Sequence, residues 1–93
     1  MAKSEIQNIP SMLTALARQT RVLIVSASPQ PNLKSGVANL VPVDLVATGR
    51  FPDFRVFLLS MATFPGFDSV SHLEITREAG RERLELRMWV VVE

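Results

Sequence analysis

Between Gly49 and Gly66 the apolar residues Phe51, Phe54, Phe57, Leu58, Met61 and Ala62 recur at three- and four-residue steps, which places them on one side of a helix. Pro52 belongs in a first helical turn, where its missing N–H would be unpaired anyway, and Asp53 suits the positive end of the helix dipole. Phe64, Pro65 and Gly66 end the run, because proline disfavours helical geometry in the residue before it. Phe54, Phe57, Leu58 and Met61 are thereby assigned to the core, at about 2 kcal/mol of burial each. Val56 and Leu59 project from the opposite side, where water is expected. A second helical pattern runs from Glu5 to Gln19, with Ile6, Ile9, Met12, Leu13, Leu16 and Ala17 on one face. Asn8, ahead of Ile9 and Pro10, reads as its N-cap and makes the preceding turn a lead-in.

Period-two alternation marks the strands. Arg21 to Ala27 is short and β-branched, and Ser28, Pro29 and Pro31 close it before a long polar loop, SPQPNLKSGVANL. From Val41 to Thr48, Val43, Leu45 and Ala47 alternate with Asp44, Val46 and Thr48. From Val70 to Arg77, Leu73 and Ile75 alternate with His72, Glu74 and Thr76, and REAGRER supplies a charged, solvated hairpin around Gly80. The last strand carries the clearest pattern, with Leu84, Leu86, Met88, Val90 and Val92 on one face. Glu85, Arg87, Trp89, Val91 and Glu93 take the other.

The order is helix, strand, strand, helix, strand, strand, so one αββ unit spans residues 5–49 and another 50–93. Neither unit covers its own apolar face. Together they can, if four antiparallel-dominated strands form one sheet and both helices lie on a single side of it. The expected fold is therefore α+β, a ferredoxin-like plait circularly permuted to begin at a helix, with the second and fourth strands central.

Ninety-three residues make one domain, and 47% apolar with 20% charged residues is the composition of a folded globule. A net charge of +1 argues against a dedicated nucleic-acid binder. The absence of cysteine removes disulfides and thiolate metal sites. No stretch approaches the about 18 apolar residues of a membrane span, and no signal-peptide pattern is read. The first four residues, MAKS, are open to reading as an expression remnant and are given no part in the fold.

Candidate chemistry is sparse. His72 is the sole histidine and is expected to be an exposed strand residue. Asp44, Asp53 and Asp68 lack the i, i+3 or i, i+4 companion of a helical carboxylate site. Ser26 and Ser28 lack the glycine-flanked turn of a nucleophile elbow, and neither GRFPDF nor AGRER has the spacing of a phosphate loop. No catalytic residue, metal ligand, cofactor or small-molecule ligand is expected. Contact surfaces are expected instead: Val46, Trp89 and Val91, with one alternate set from Val22 to Val25, on the uncovered sheet face, Val56 and Leu59 on the outer helix face, and the edge strand from Arg21 to Ala27.

The segments ALARQTRVLIVSASPQPN and VPVDLVATGRFPDFRVFLLSMATFPGFDSVSHLEITREAGRERLELRMWVVV resemble the periplasmic domain of the PilO family, inner-membrane alignment proteins of type IV pilus machines. GspM of type II secretion is the family's counterpart. The resemblance is carried by a strand ending in Gly49, then Phe51, Phe54 and the Phe57-Leu58 pair inside a helix, and an alternating final strand. It implies a scaffold without chemistry that pairs with itself and with a PilN-like or GspL-like paralogue. It also implies a membrane helix and coiled coil upstream of Glu5. Two other classes share parts of the pattern. An RRM-like RNA binder needs sheet aromatics in basic surroundings, whereas Trp89 sits among Asp44, Glu74, Glu85 and Glu93. A small-molecule-binding ACT-like regulatory domain is the alternative, although that class starts with a strand.

Overall fold

A computed structural model describes residues 1–31 and 39–93. A 3₁₀ turn (Lys3–Asn8) leads into α1 (Ile9–Gln19), followed by β1 (Leu23–Pro29), β2 (Leu40–Gly49), α2 (Phe51–Met61), β3 (Phe67–Glu78) and β4 (Arg81–Val91). The strands form one antiparallel sheet in the order β1-β2-β4-β3. The expected α+β plait is thus present, with β2 and β4 central. Of the expected polar loop, residues 32–38 lie outside the described residues.

The β2–β4 ladder joins the two halves and runs without interruption from Leu40↔Val91 to Gly49↔Glu82. Because the strands alternate in step, Val43, Leu45 and Ala47 of β2 and Leu84, Leu86, Met88 and Val90 of β4 all bury on one face. Ile9, Leu13 and Ala17 of α1 and Phe54, Phe57 and Met61 of α2 fill the same core from above. Both helices therefore cover one side of the sheet. Leu16 and Leu58 are half-buried against this cluster, at its margin and not within it.

Four local readings need correction. Phe51 and Ala62, expected on the buried face of α2, are exposed, since the buried arc is narrowed to Phe54, Phe57 and Met61. Asn8 precedes α1 as expected, but its side chain makes no capping hydrogen bond. Leu73, expected to be buried with Ile75, is 51% exposed, because β3 bulges between Ser71 and Glu74 and His72 adopts φ 55° there. Residues 1–4 do take part in the fold: Met1 packs on the core and accepts a hydrogen bond from the Glu93 N–H at 2.9 Å.

The punctuation is chemically specific. Ala79 and Gly80, with φ 46° and 80°, form the two-residue β3–β4 turn, a type I′ geometry matched to strand twist. Gly66 has φ 76°, and its carbonyl accepts the Val91 N–H at 2.7 Å, so the chain enters β3 pressed against the end of β4. A Cβ there would stand 2.7 Å from the Val91 carbonyl oxygen, which only glycine avoids. Bulges interrupt both edges, at Ile24/Ser26 in β1 and at Phe67/Ser69 and Ser71/Glu74 in β3. Such irregularities blunt an edge against an added strand.

Phe57 is wholly buried at the centre of the core. Phe57→Ala is expected to lower unfolding free energy by about 3 to 5 kcal/mol in urea titration.

Candidate functional site

Among the described residues, two surfaces outside the core bear on the expected contacts first: the uncovered face of the sheet and the outer face of α2. On the sheet, Asp44 of β2 lies directly across from Arg87 of β4. The guanidinium donates to both carboxylate oxygens, from Nε to Oδ1 at 2.7 Å and from a terminal nitrogen to Oδ2 at 3.2 Å. Hydrogen bonding to Asp44 raises the Arg87 pKa above its ordinary value, with the Asp44 charge adding to the effect and partial desolvation opposing it. Arg87 also sits 6.0 Å from the centroid of the Trp89 ring, at the outer range of a cation–π contact.

The polar chain continues across β4 to β3. Trp89 donates its indole N–H to Ser71 Oγ at 2.9 Å, and Ser71 Oγ lies 2.9 Å from His72 Nδ1. Two adjacent rows of the sheet thus carry neighbouring polar side chains, with Asp44 bonded to Arg87 and Trp89 bonded to Ser71 beside His72. Arg83 donates to Glu85 at 3.0 Å beside it. Glu74 and Glu85 face each other across β3 and β4, a like-charge pairing that disfavours both a phosphate backbone and close approach of acidic groups.

Of the residues expected at contact surfaces, Val46 and Trp89 are half-buried, and Val91 is only slightly beyond that at 38% exposure. Leu23 and Val25 of β1 are exposed at the sheet's edge, a feature visible in the apolar run Val22 to Val25 but not resolved there residue by residue. Val56 and Leu59 of α2 are 50% and 68% exposed. Phe51, also exposed, is the first residue of the same helix. The expected exposure of His72 is observed, but its hydrogen bond to Ser71 was not anticipated. Nor was the Asp44–Arg87 pair, whose members are 43 residues apart.

Two hollows on the surface gather charged side chains. One is lined by Asp44, Val46, His72, Glu74, Glu85 and Arg87 on the open sheet face. Another, at the N-terminal end of α2, is lined by Arg21, Arg50 and Arg81 together with Asp53. Among the described residues no group of three or more His, Cys, Asp or Glu side chains is placed to hold a metal ion. No helix among them is long and apolar enough to cross a membrane. No protein-family model matches the chain, and no curated protein matches it.

Ser71→Ala deprives the half-buried Trp89 indole of its acceptor and is expected to cost about 1 kcal/mol. His72→Ala, at the exposed end of the same chain, is expected to stay within about 0.5 kcal/mol of the parent; urea titration of both variants checks the ordering.

Proposed function

We propose that the chain is a non-catalytic assembly module that acts by pairing, with a copy of itself or with a PilN-like or GspL-like paralogue. This is the role implied by the resemblance to the PilO and GspM periplasmic domains. Periplasmic placement within an inner-membrane complex of a type IV pilus or type II secretion machine belongs to the same reading. The observation that carries it is the outer face of α2, where Leu59 stands 68% exposed on the side opposite Phe54, Phe57 and Met61. An isolated exposed leucine is ordinary. Here Val56 and Leu59 are both exposed on the outer side of one helix that carries only Asp53 and Arg55 as charges, and adjacent apolar exposure of that kind marks contact surfaces.

The sheet's far face supports the choice by contrast. Its charges and its indole N–H are largely answered within the molecule, so a partner docking there would displace bonds already made. The bulged edges make strand addition at β1 the less favoured route.

Sedimentation equilibrium over about 10 μM to about 1 mM tests the proposal, with an average mass rising from one chain toward two as the expected result. A single-chain mass throughout, together with no complex on mixing with a PilN-like or GspL-like domain, would overturn it. A rise in melting temperature with added amino acids would move the reading to an ACT-like effector domain.

A further inference from the structure

We propose that the arginine-lined hollow at the end of the sheet is an anion site, and that the group it takes is a phosphate. It is a recess of about 690 Å³ lined by Arg21, Arg50 and Arg81, with Asp53 the single carboxylate among its lining residues. The arginines come from three places in the chain: Arg21 between α1 and β1, Arg50 between β2 and α2, and Arg81 at the start of β4. Strand register brings them together. At this end Leu23↔Thr48 is the last β1–β2 pair and Gly49↔Glu82 the last β2–β4 pair. Carried on by one or two residues, the two registers set Arg50 beside both Arg21 and Arg81.

Like charges side by side repel, and these three are not answered within the molecule. Other arginines of the sheet each hold a carboxylate: Arg77 with Glu82, Arg83 with Glu85 and Arg87 with Asp44. Among the described residues Arg21, Arg50 and Arg81 are in no ion pair, although Glu78 is the cross-strand partner of Arg81. Arg21 also holds its place at a backbone cost. Its N–H bonds to the Arg18 carbonyl and the Val22 N–H to the Ala17 carbonyl, a helix ending whose left-handed position favours glycine, yet Arg21 fills it at φ 62°. The end of α2 adds little, since Pro52 has no N–H and the N–H groups of Asp53 and Phe54 are bonded to the Arg50 carbonyl. The guanidinium groups are the donors.

Charge and valence choose the ligand. Three guanidinium charges against the carboxylate of Asp53 leave an excess of two, which a phosphomonoester dianion balances and a lone carboxylate does not. The terminal oxygens of a phosphate accept from more than one guanidinium fork at once. Leu23, exposed and among the lining residues, offers an apolar wall to the carbon body of an ester. Exposed arginines bind weakly and in a salt-sensitive way, so dissociation falls at about 0.1 to 10 mM in low salt. Neither Val56 nor Leu59 lines the hollow, so the site stands whether or not α2 meets a partner.

Inorganic phosphate titrated into the isotope-labelled chain at constant ionic strength tests the site, with acetate as the control. The amide signals of Arg21, Arg50 and Arg81 are expected to shift saturably with phosphate and little with acetate, while those of Arg18 and Arg55 stay in place. Arg50→Ala is expected to weaken the response at least about fivefold. Arg21→Gly is expected to weaken it likewise but to raise the melting temperature, because glycine relieves the left-handed backbone there. Phosphatidylcholine vesicles containing phosphatidic acid separate the two sources of the group. Cosedimentation that Arg50→Ala abolishes assigns a lipid headgroup, and a saturable phosphate response without cosedimentation assigns a soluble phosphate. No saturable shift up to about 20 mM phosphate together with no cosedimentation overturns the site, as does an undiminished response in Arg50→Ala or shifts of equal size at Arg18 and Arg55. An equal response to acetate overturns the phosphate as ligand.

Discussion

The structure depends on one constraint: a sheet apolar on a single face can be closed only by cover drawn from both halves of the chain. Val43, Leu45 and Ala47 come from the first αββ unit, and Leu84, Leu86, Met88 and Val90 from the second. The continuous β2–β4 register turns these two sets into one surface. Ile9, Leu13 and Ala17 from one helix and Phe54, Phe57 and Met61 from the other then exclude water from it. Removing either helix would expose strands belonging to both units, so the halves stand or fall together. Even the chain ends are recruited, since Met1 packs on the core and its carbonyl accepts the Glu93 N–H.

One-sided cover also decides what is left for other molecules. The sheet's far side stays uncovered and carries bonded polar side chains, the Asp44–Arg87 pair at one end and the Trp89–Ser71 bond beside it. These bonds orient the side chains, and among the described residues no group of three or more His, Cys, Asp or Glu side chains is placed to hold a metal ion. Beyond the core-facing stripe, α2 presents Val56 and Leu59 to solvent. The proposed assembly role draws on that difference, because a polar face closed on itself gives a partner little, whereas an apolar helix face gives up only water.

Much of this was legible in the chain. The alternation from Leu84 to Val92 fixed the buried face of β4 without ambiguity, since a period-two pattern has only two registers. The same logic placed β2, and the repeated αββ order led to the strand order. What remained illegible was what depends on contacts far apart in sequence or on a single backbone angle. Leu73 obeyed the alternation on paper, yet a bulge with His72 at positive φ broke the phase. Phe51 has the right helical spacing for burial but sits at the first residue of α2, where it is exposed. Asp44 and Arg87 could be paired only once the β2–β4 register was known. Val56 and Leu59 were readable as outward-facing residues, although nothing in the sequence gives how exposed each one is.

The proposed assembly role has this molecule meet its partner through the outer face of α2 and not through the open sheet. Residue-resolved NMR of the isotope-labelled chain during dilution addresses it directly. Backbone amide signals from Arg55 to Thr63 should move with concentration, while the Trp89 indole N–H, held by Ser71, should stay in place. Concentration-dependent movement of the Trp89 indole and of the β2 and β4 amides, with α2 unchanged, would contradict it.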